Sequence, residues 1–442
     1  MNRPEALETP HELLEARRRI AQQALGRGVL VLPAASIQPR SRGEHPYHPD
    51  RELFYLTGAT EPGTVAVLTG GEEGRFVLFV RERDEEAELW AGARLGPEGA
   101  AERFRPDECH SLAALEVELP RLLRAADRVF FRLGRFQAIE RHVLDALAFA
   151  RAKGARTGTG PRAVVDPGEI LDPLRVVKDA HEIGLMRRAA EITVEGHRAG
   201  LAALAPGGGE WAVEAAIDHV FRASGGGGPA YETIVGAGPN ACVLHYVDNS
   251  ACIGAHDLVL VDAGADYGLY QADVSRTWPA GGRFRGAQRD VYEIVEAARR
   301  AAVAAVVPGA RIADVHEAAT RVLVEGLVSL GALAGPVEEL ASKEAHKPFY
   351  PHQTSHWLGL DVHDPGDYAV DGVSRTLEPG MVFTVEPGLY FRPGREDTPR
   401  HLAGIGVRIE DDILVTETGA EVLTRGLPTD ADEVEALVGW RQ

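Results

Sequence analysis

Hydrophobic and polar positions alternate along this chain in two distinct rhythms. Apolar residues recur every three to four positions at 11–25, so that stretch is expected to be an amphipathic helix, and a buried strand is expected at 28–33 (GVLVLP). Further short apolar runs at 64–69, 75–81 and 129–133 read as strands, with helical patterns at 111–126 and 136–153. Strands alternating with helices imply a small α/β domain. The segment 154–168 holds four glycines and two prolines and reads as a loop. Asp179 and Glu182 then form a capping-box signal before a long helix whose apolar face includes Ile183, Met186, Ala190, Ile192 and Val194. The boundary therefore falls near residue 172, giving domains 1–171 and 172–442.

The second domain repeats one pattern. Helices expected at 180–204 and 210–223 precede extended segments at 231–247 and 258–278. Helices at 288–307 and 311–331 precede extended segments at 350–363, 381–391 and 404–416. Trp211, Ile217, Val220 and Phe221 fall at helical spacing, as do Val291, Ile294, Val295 and Ala298, then Val315, Ala319, Val322 and Leu323. No residue-level repeat accompanies this. Two helix pairs backing one curved antiparallel sheet would bury these faces, an α+β architecture with a site where the halves meet.

Composition narrows the function. With 442 residues, 45% hydrophobic and 26% charged, the chain has the make-up of a globular protein, and a net charge of −19 argues against a nucleic-acid partner. The three cysteines (Cys109, Cys242, Cys252) form no CxxC pair, which suits a reducing compartment and gives no thiol metal site. No signal-peptide core and no 18-residue apolar run is present, so a cytoplasmic enzyme with no membrane partner is expected.

The stretch 258–278 (LVLVDAGADYGLYQADVSRTW) carries the chemistry. Its two apolar arms read as a hairpin, and with Tyr267-Gly268 as a two-residue turn Asp262 pairs directly with Asp273. Facing carboxylates destabilise a buried sheet unless a cation lies between them. The plainer alternative is a solvated hairpin whose aspartates decorate turns. Farther along, PHQTSHWLGLDVHD (351–364) contains three histidines, and Glu386 and Glu410 each end or interrupt an apolar run. A lone buried Glu is costly unless paired. Two Asp, two Glu and one His are hard or borderline donors that suit Mn²⁺, with Zn²⁺ or Co²⁺ as alternatives. Four carboxylates exceed what one catalytic ion takes, implying a bridged pair of ions.

Two other motifs are discounted. HQTSHWLGLDVH has Gln353 where a zinc-protease helix needs its general-base Glu, and its third His is displaced to His363. GAGPNA (236–241) matches a dinucleotide fingerprint, but Pro239 and an extended-looking segment follow instead of a helix.

Together DAGADYGLYQADVSRTW, HQTSHWLGLDVHD, LEPGMVFTVEPGLY and GVRIEDD resemble aminopeptidase P, the Xaa-Pro aminopeptidase of the pita-bread metallopeptidases, and PYHPDRELFYLTG resembles that family's companion domain. The resemblance covers almost the whole chain. It implies a pita-bread catalytic domain and a cofactor of two Mn²⁺ per subunit. Asp262 would chelate one ion, Asp273 and Glu410 would bridge both, and His356 and Glu386 would complete the second. His245, His352 and His363 correspond to the family's further site histidines.

The activity implied is hydrolysis of the bond between an N-terminal residue and a following proline. Water activated between the ions would attack, His363 would stabilise the oxyanion and Glu386 would shuttle the proton. The free N-terminus would bind near Asp262, and His245 and His352 would shape the proline pocket. Arg408 either orients the bridging carboxylate or substrate, or makes a structural ion pair. Tyr368 corresponds to a family tyrosine near the site, whereas the basic residue of that loop is Val373 here. Trp90 aligns with a tryptophan lent by a neighbouring subunit, implying a homo-oligomer, tetramer or dimer. The nearest rival is a prolidase with the same metals; a metal-free binding module and a nicotinamide dehydrogenase are more distant.

Overall fold

A computed structural model describes residues 8–439 apart from 36, 38, 42 and 72. The outermost ends of both expected domains lie outside the described residues. The chain forms two compact units that part between Leu174 and Arg175.

The amino-terminal unit is built on a six-stranded mixed sheet. Its strands run in the spatial order Glu108–Ser111, Phe76–Val80, Val65–Thr69, Val29–Pro33, Arg128–Phe130 and Ala163–Val165. Val29–Pro33 and Phe76–Val80 are buried at every position, as continuous apolar runs demand when both faces are covered. Helices Leu115–Ala125 and Gln137–Phe149 pack Leu119, Leu122, Leu123 and Val143 onto one face. The expected loop at 154–168 contains the strand Ala163–Val165, three residues long and so too short to show a period. The expected strand at 129–133 stops at Phe130.

In the second unit the capping box forms as read. Asp179 Oδ1 accepts from the N–H groups of His181 and Glu182, and Glu182 Oε2 accepts from Asp179 N–H. This starts Ala180–Ala203, which packs against Glu210–Ala223; Ala287–Ala305 and Ile312–Ser329 form the second pair. Ile234–Ala237, Leu258–Asp262 and Ser275–Pro279 make one antiparallel ladder, and Val382–Val385, Asp411–Thr416 and Gly419–Val422 another. Bonds between them join the halves: Glu410 N–H donates to Ser275 O (3.0 Å), and Asp273 N–H to Asp412 Oδ1 (3.1 Å).

Two expectations are corrected. The hairpin turn is Gly268-Leu269, not Tyr267-Gly268. Both turn residues have positive φ (62° and 69°), the requirement of a tight two-residue turn. The register therefore shifts by two: Tyr267 pairs with Tyr270 and Asp262 with Ser275, which leaves Asp273 diagonal to Asp262. Gly264 lies opposite Asp273, where a Cβ would sit 1.7 Å from Ala272 O. The second correction is 350–363, which is not extended. Asp364 N–H returns to Trp357 O and Gly359 N–H to Asp361 O, folding the segment on itself. Buried Arg175 donates to Asp361 Oδ2 (2.8 Å) and Asp364 Oδ1 (2.5 Å), and Lys178 to Asp364 Oδ2 (3.2 Å), so charge pairing replaces ladder bonds.

Behind the Asp262 strand, His197 is buried and its Nε2–H donates to Ala263 O (3.0 Å). Burial pushes the imidazole down to about 4. Because the folded-state value lies below that of the free side chain, its contribution is complete above pH 6.5 and is lost as pH falls towards 4. His197→Gln, which keeps a donor but cannot titrate, should lose about 3 kcal/mol less stability than the parent across that window in urea unfolding. An equally steep loss would refute a buried neutral imidazole.

Candidate metal centre

The five expected ligands all stand at strand ends or breaks, where a side chain can turn inward without costing a ladder bond. Asp262 is the last residue of its strand, and Asp273 lies in the irregular link before Ser275. Glu386 follows Val382–Val385, Glu410 separates Gly406–Arg408 from Asp411–Thr416, and His356 lies in the folded 350–363 segment. Thr384 fixes His356 on both sides: its N–H donates to His356 O (3.0 Å), and its Oγ1 accepts from His356 N–H (3.1 Å).

These groups converge. Ligand atoms of Asp273, His356 and Glu410 lie within 4.8 Å of one another. His356 Nε2 is 3.4 Å from Asp273 Oδ2 and 3.5 Å from Glu386 Oε1. Asp262 and Asp273 share the hydroxyl of Tyr231, at 2.6 and 2.5 Å. Arg408 Nη2 donates to Asp262 Oδ2 (2.5 Å), its Nε to Ser275 Oγ (2.7 Å), and Ser275 Oγ–H to Glu410 Oε2 (2.7 Å). Arg408 thus pairs with Asp262 and reaches Glu410 only through Ser275.

The charges do not balance by themselves. Among the described residues, the cations that face Asp262, Asp273, Glu386 and Glu410 are Arg408 and His356. Burial pushes Asp262 up to about 6, with Arg408 opposing and Asp273 adding to it. Burial likewise raises Glu386 to about 7 and drives Glu410 well above the usual carboxylate range, with the neighbouring carboxylates adding. Asp273 goes the other way: burial raises it, but His356, Tyr231 and Arg408 together outweigh that; His356 is lifted to about 9 against burial by Asp273 and Glu386. Such a cluster is under-neutralised, and its oxygen-rich donor set with one imidazole fits a divalent metal centre. His356 Nδ1–H donates to Trp357 O (3.1 Å), leaving Nε2 aimed at the carboxylates, the tautomer a metal ligand needs.

The surrounding residues fall into place around this cluster. His352 Nδ1–H donates to Gln353 O, so Nε2 accepts from Tyr390 OH (2.9 Å), which itself accepts from Arg408 Nη1 (3.0 Å). Burial and Arg408 push His352 down to about 3, so it is neutral. His363 stacks edge-on against His356 at 4.3 Å, and its outer side is exposed. His245 is exposed, near enough to His352 and His363 to disfavour their protonation. Tyr368 stacks on Trp357 and accepts its N–H (2.9 Å), bracing the segment that carries His356. Trp90 lies in the other unit. Tyr231, Ser275, Tyr390 and Asp412 were not singled out from the sequence, since a hydroxyl or a fifth acid carries no spacing of its own.

The comparisons with known proteins agree with this geometry. Residues 184–417 match metallopeptidase family M24, and 14–130 match the aminopeptidase P N-terminal domain. The chain is 40% identical to an Xaa-Pro aminopeptidase of Escherichia coli over 95% of both chains. It is similar to the structure of a Pseudomonas aeruginosa aminopeptidase (42% identity, 98% and 99% of the two chains, TM-score 0.93). It is also similar to zinc-substituted E. coli aminopeptidase P in complex with product (39%, 98% and 99%, TM-score 0.92).

Asp273→Asn removes one charge from the cluster while preserving its shape. The purified variant should keep the parent's circular dichroism and lose most of its bound divalent metal by elemental analysis. Parent-level metal content would remove Asp273 from the ligand set.

Proposed function

The chain belongs to metallopeptidase family M24, and we propose how its residues carry out the reaction of an Xaa-Pro aminopeptidase, hydrolysis of the bond between an N-terminal residue and a following proline. The enzyme is a metallo-exopeptidase with a divalent metal centre and the pita-bread fold of the aminopeptidase P structures. The observation that carries this reading is the convergence of Asp262, Asp273, His356, Glu386 and Glu410 in one buried, under-neutralised cluster.

Asp262, Asp273, His356, Glu386 and Glu410, four of them carboxylates, would hold two ions rather than one, Asp273 and Glu410 being central to the cluster. Mn²⁺ suits the oxygen-rich set; the name of the zinc-substituted relative makes Zn²⁺ a working alternative. Bound there, divalent metal lowers the pKa of a water and polarises the scissile carbonyl. The chain's own groups do the rest. Proline's tertiary amide has no N–H to offer and a fixed φ, so binding relies on shape and on the carbonyl. His363 stands on the exposed side of His356, where its ring can donate to the developing oxyanion. Glu386 faces His352 Nδ1 at 3.5 Å and His356 Nε2 at 3.5 Å, contacts too long to hold its oxygens, so it is free to accept a proton and return it to the leaving proline nitrogen. Neutral His352 and the exposed His245 form the wall against the proline ring. Arg408 and Tyr231 hold Asp262 where the substrate's free N-terminus is received.

Leu89 and Trp90 are 81% and 84% exposed on one short helix, an apolar pair that supports a homo-oligomer, with the tetramer as our reading and Trp90 contributed to a neighbouring subunit. Three unpaired cysteines suit a reducing cytoplasm. Among the described residues no helix is long and apolar enough to cross a membrane.

Exhaustive chelation should abolish turnover of a proline-second peptide, and Mn²⁺, Co²⁺ or Zn²⁺ added back singly should restore it to different extents. Turnover that survives chelation would rule out the metal mechanism.

A second measurement concerns substrate length. Val373 is exposed and puts no cation at the far side of the site, where a dipeptide's carboxylate would need one. Xaa-Pro-Xaa peptides should be cleaved with a higher kcat/KM than Xaa-Pro dipeptides; the reverse order would identify a prolidase.

A further inference from the structure

His245 stands on the twenty-residue connection between Ile234–Ala237 and Leu258–Asp262. Its outermost part, 243–248, is packed on alternate residues only. Val243 is 51% exposed, Val247 41%, and His245 itself lies open. Leu244 and Tyr246, on either side of His245, are partly buried against Ile234, Ala241, Cys242, Leu260 and Tyr390, and a half-buried segment of this kind gains its definition from hydrogen bonds as well as from packing.

The structure offers one hub. Glu210, first residue of Glu210–Ala223, is 0% exposed, yet no cation pairs with its carboxylate among the described residues. It is held instead by four neutral donors, all from this connection or its edge. Oε1 accepts from Ala237 N–H (2.7 Å) and Asn240 Nδ2 (3.1 Å); Oε2 accepts from Tyr246 OH (2.9 Å) and Ala251 N–H (2.7 Å). Glu210 N–H donates to Ala251 O (3.0 Å), closing a fifth bond. The donors at 240, 246 and 251 bracket His245 on both sides. Farther on, Asn249 takes a positive φ of 43°, and its side chain accepts from Val235 N–H and donates to Thr233 O and Glu214 Oε2. Both anchors hold the ends of the exposed tip, and of the two it is Glu210 that reaches within it by a hydrogen bond, through Tyr246.

We propose that Glu210 is a positioning residue for the substrate-facing tip 243–248, setting where His245 stands at the metal site. The proposal rests on the reading that His245 contacts substrate. A charged acceptor suits this task because each bond to a carboxylate is stronger than one to a neutral oxygen. Four donors converging on two oxygens leave the connection a single arrangement. Glu210→Gln keeps the size but turns an NH₂ towards two donors, so at least one bond is replaced by a clash of donors and the tip is released.

The test is a double-mutant cycle on the metal-loaded enzyme with a proline-second tripeptide, using Glu210→Gln, His245→Ala and both together. Tyr246→Phe serves as a milder variant that folds even if Glu210→Gln does not. We expect Glu210→Gln to raise KM about tenfold, with kcat and bound metal near the parent's, since misplacement of a binding group by about an ångström has effects of this order. Tyr246→Phe should shift KM the same way by less. In the His245→Ala background neither change should add anything, and amide hydrogen exchange over 243–248 should quicken while the rest of the unit is unchanged. Additive losses in the double variant, with His245→Ala itself impaired, would reduce Glu210 to a structural residue and overturn the proposal alone. A His245→Ala enzyme with parental KM would overturn the reading of His245 as well.

Discussion

Mutual repulsion among four carboxylates, three of them buried and Glu386 partly so, is the constraint that orders this structure. Asp262, Asp273, Glu386 and Glu410 come from points far apart in the chain and end in one cluster, where burial and the neighbouring carboxylates drive three of them upward in pKa. A sheet does not tolerate that without compensation. The compensation present in the chain is partial and local. Tyr231 bridges the two aspartates with one proton, Arg408 ties Asp262, Ser275 relays Arg408 to Glu410, and His356 leans on Asp273. The shortfall is what a divalent centre supplies, and it shows why the centre and the fold are one problem. Two of the bonds that join the halves, Glu410 to Ser275 and Asp273 to Asp412, are made by the backbones of the clustered acids themselves.

Much of this was legible in the chain because each ligand interrupts a strong local pattern. The apolar run LVLV ends at Asp262, VFTV ends at Glu386, and Arg408 alternates with Glu410 at period two within an apolar stretch. The capping box at Asp179 announced its helix for the same reason, since its two partners are three residues apart. What was not legible depends on contacts that sequence spacing does not encode. The hairpin register turned on Leu269 taking positive φ beside Gly268, which an apolar residue seldom does. The run WLGLDV looked like a strand, yet Arg175 and Lys178, more than 180 residues away, fold it around Asp364. Tyr231 and Ser275 are single hydroxyls whose role exists only once two distant carboxylates have met.

The GAGPNA stretch shows how a local motif can be satisfied from within. A glycine-rich turn offers inward N–H groups, which is what a pyrophosphate would exploit. Here the N–H of Ala237 and the amide of Asn240 are already taken by Glu210, and a short 3₁₀ turn, Gly238–Cys242, follows in place of a long helix. The anion that completes the turn is part of the protein. A motif of donors identifies a need for negative charge, and the fold decides whether a ligand or a side chain meets it.

That distinction separates the buried acids of this unit into two kinds. Asp411 accepts from Arg276, Arg299 and Thr424, and Asp364 from Arg175 and Lys178; in both, the cationic partners outweigh burial and hold the carboxyl below its usual range. Glu210 is met by four neutral donors. These acids are finished: their partners leave no lone pair seeking charge, and their work is to hold chain segments together. Glu386 has no partner closer than 3.5 Å among its ion-pair contacts, and Glu410 has a hydroxyl where it would need a cation. An acid left unfinished in an interior costs stability that packing must offset. Such acids persist only where something from outside the chain completes them. Burial therefore does not mark the site by itself; the mismatch between burial and partners does.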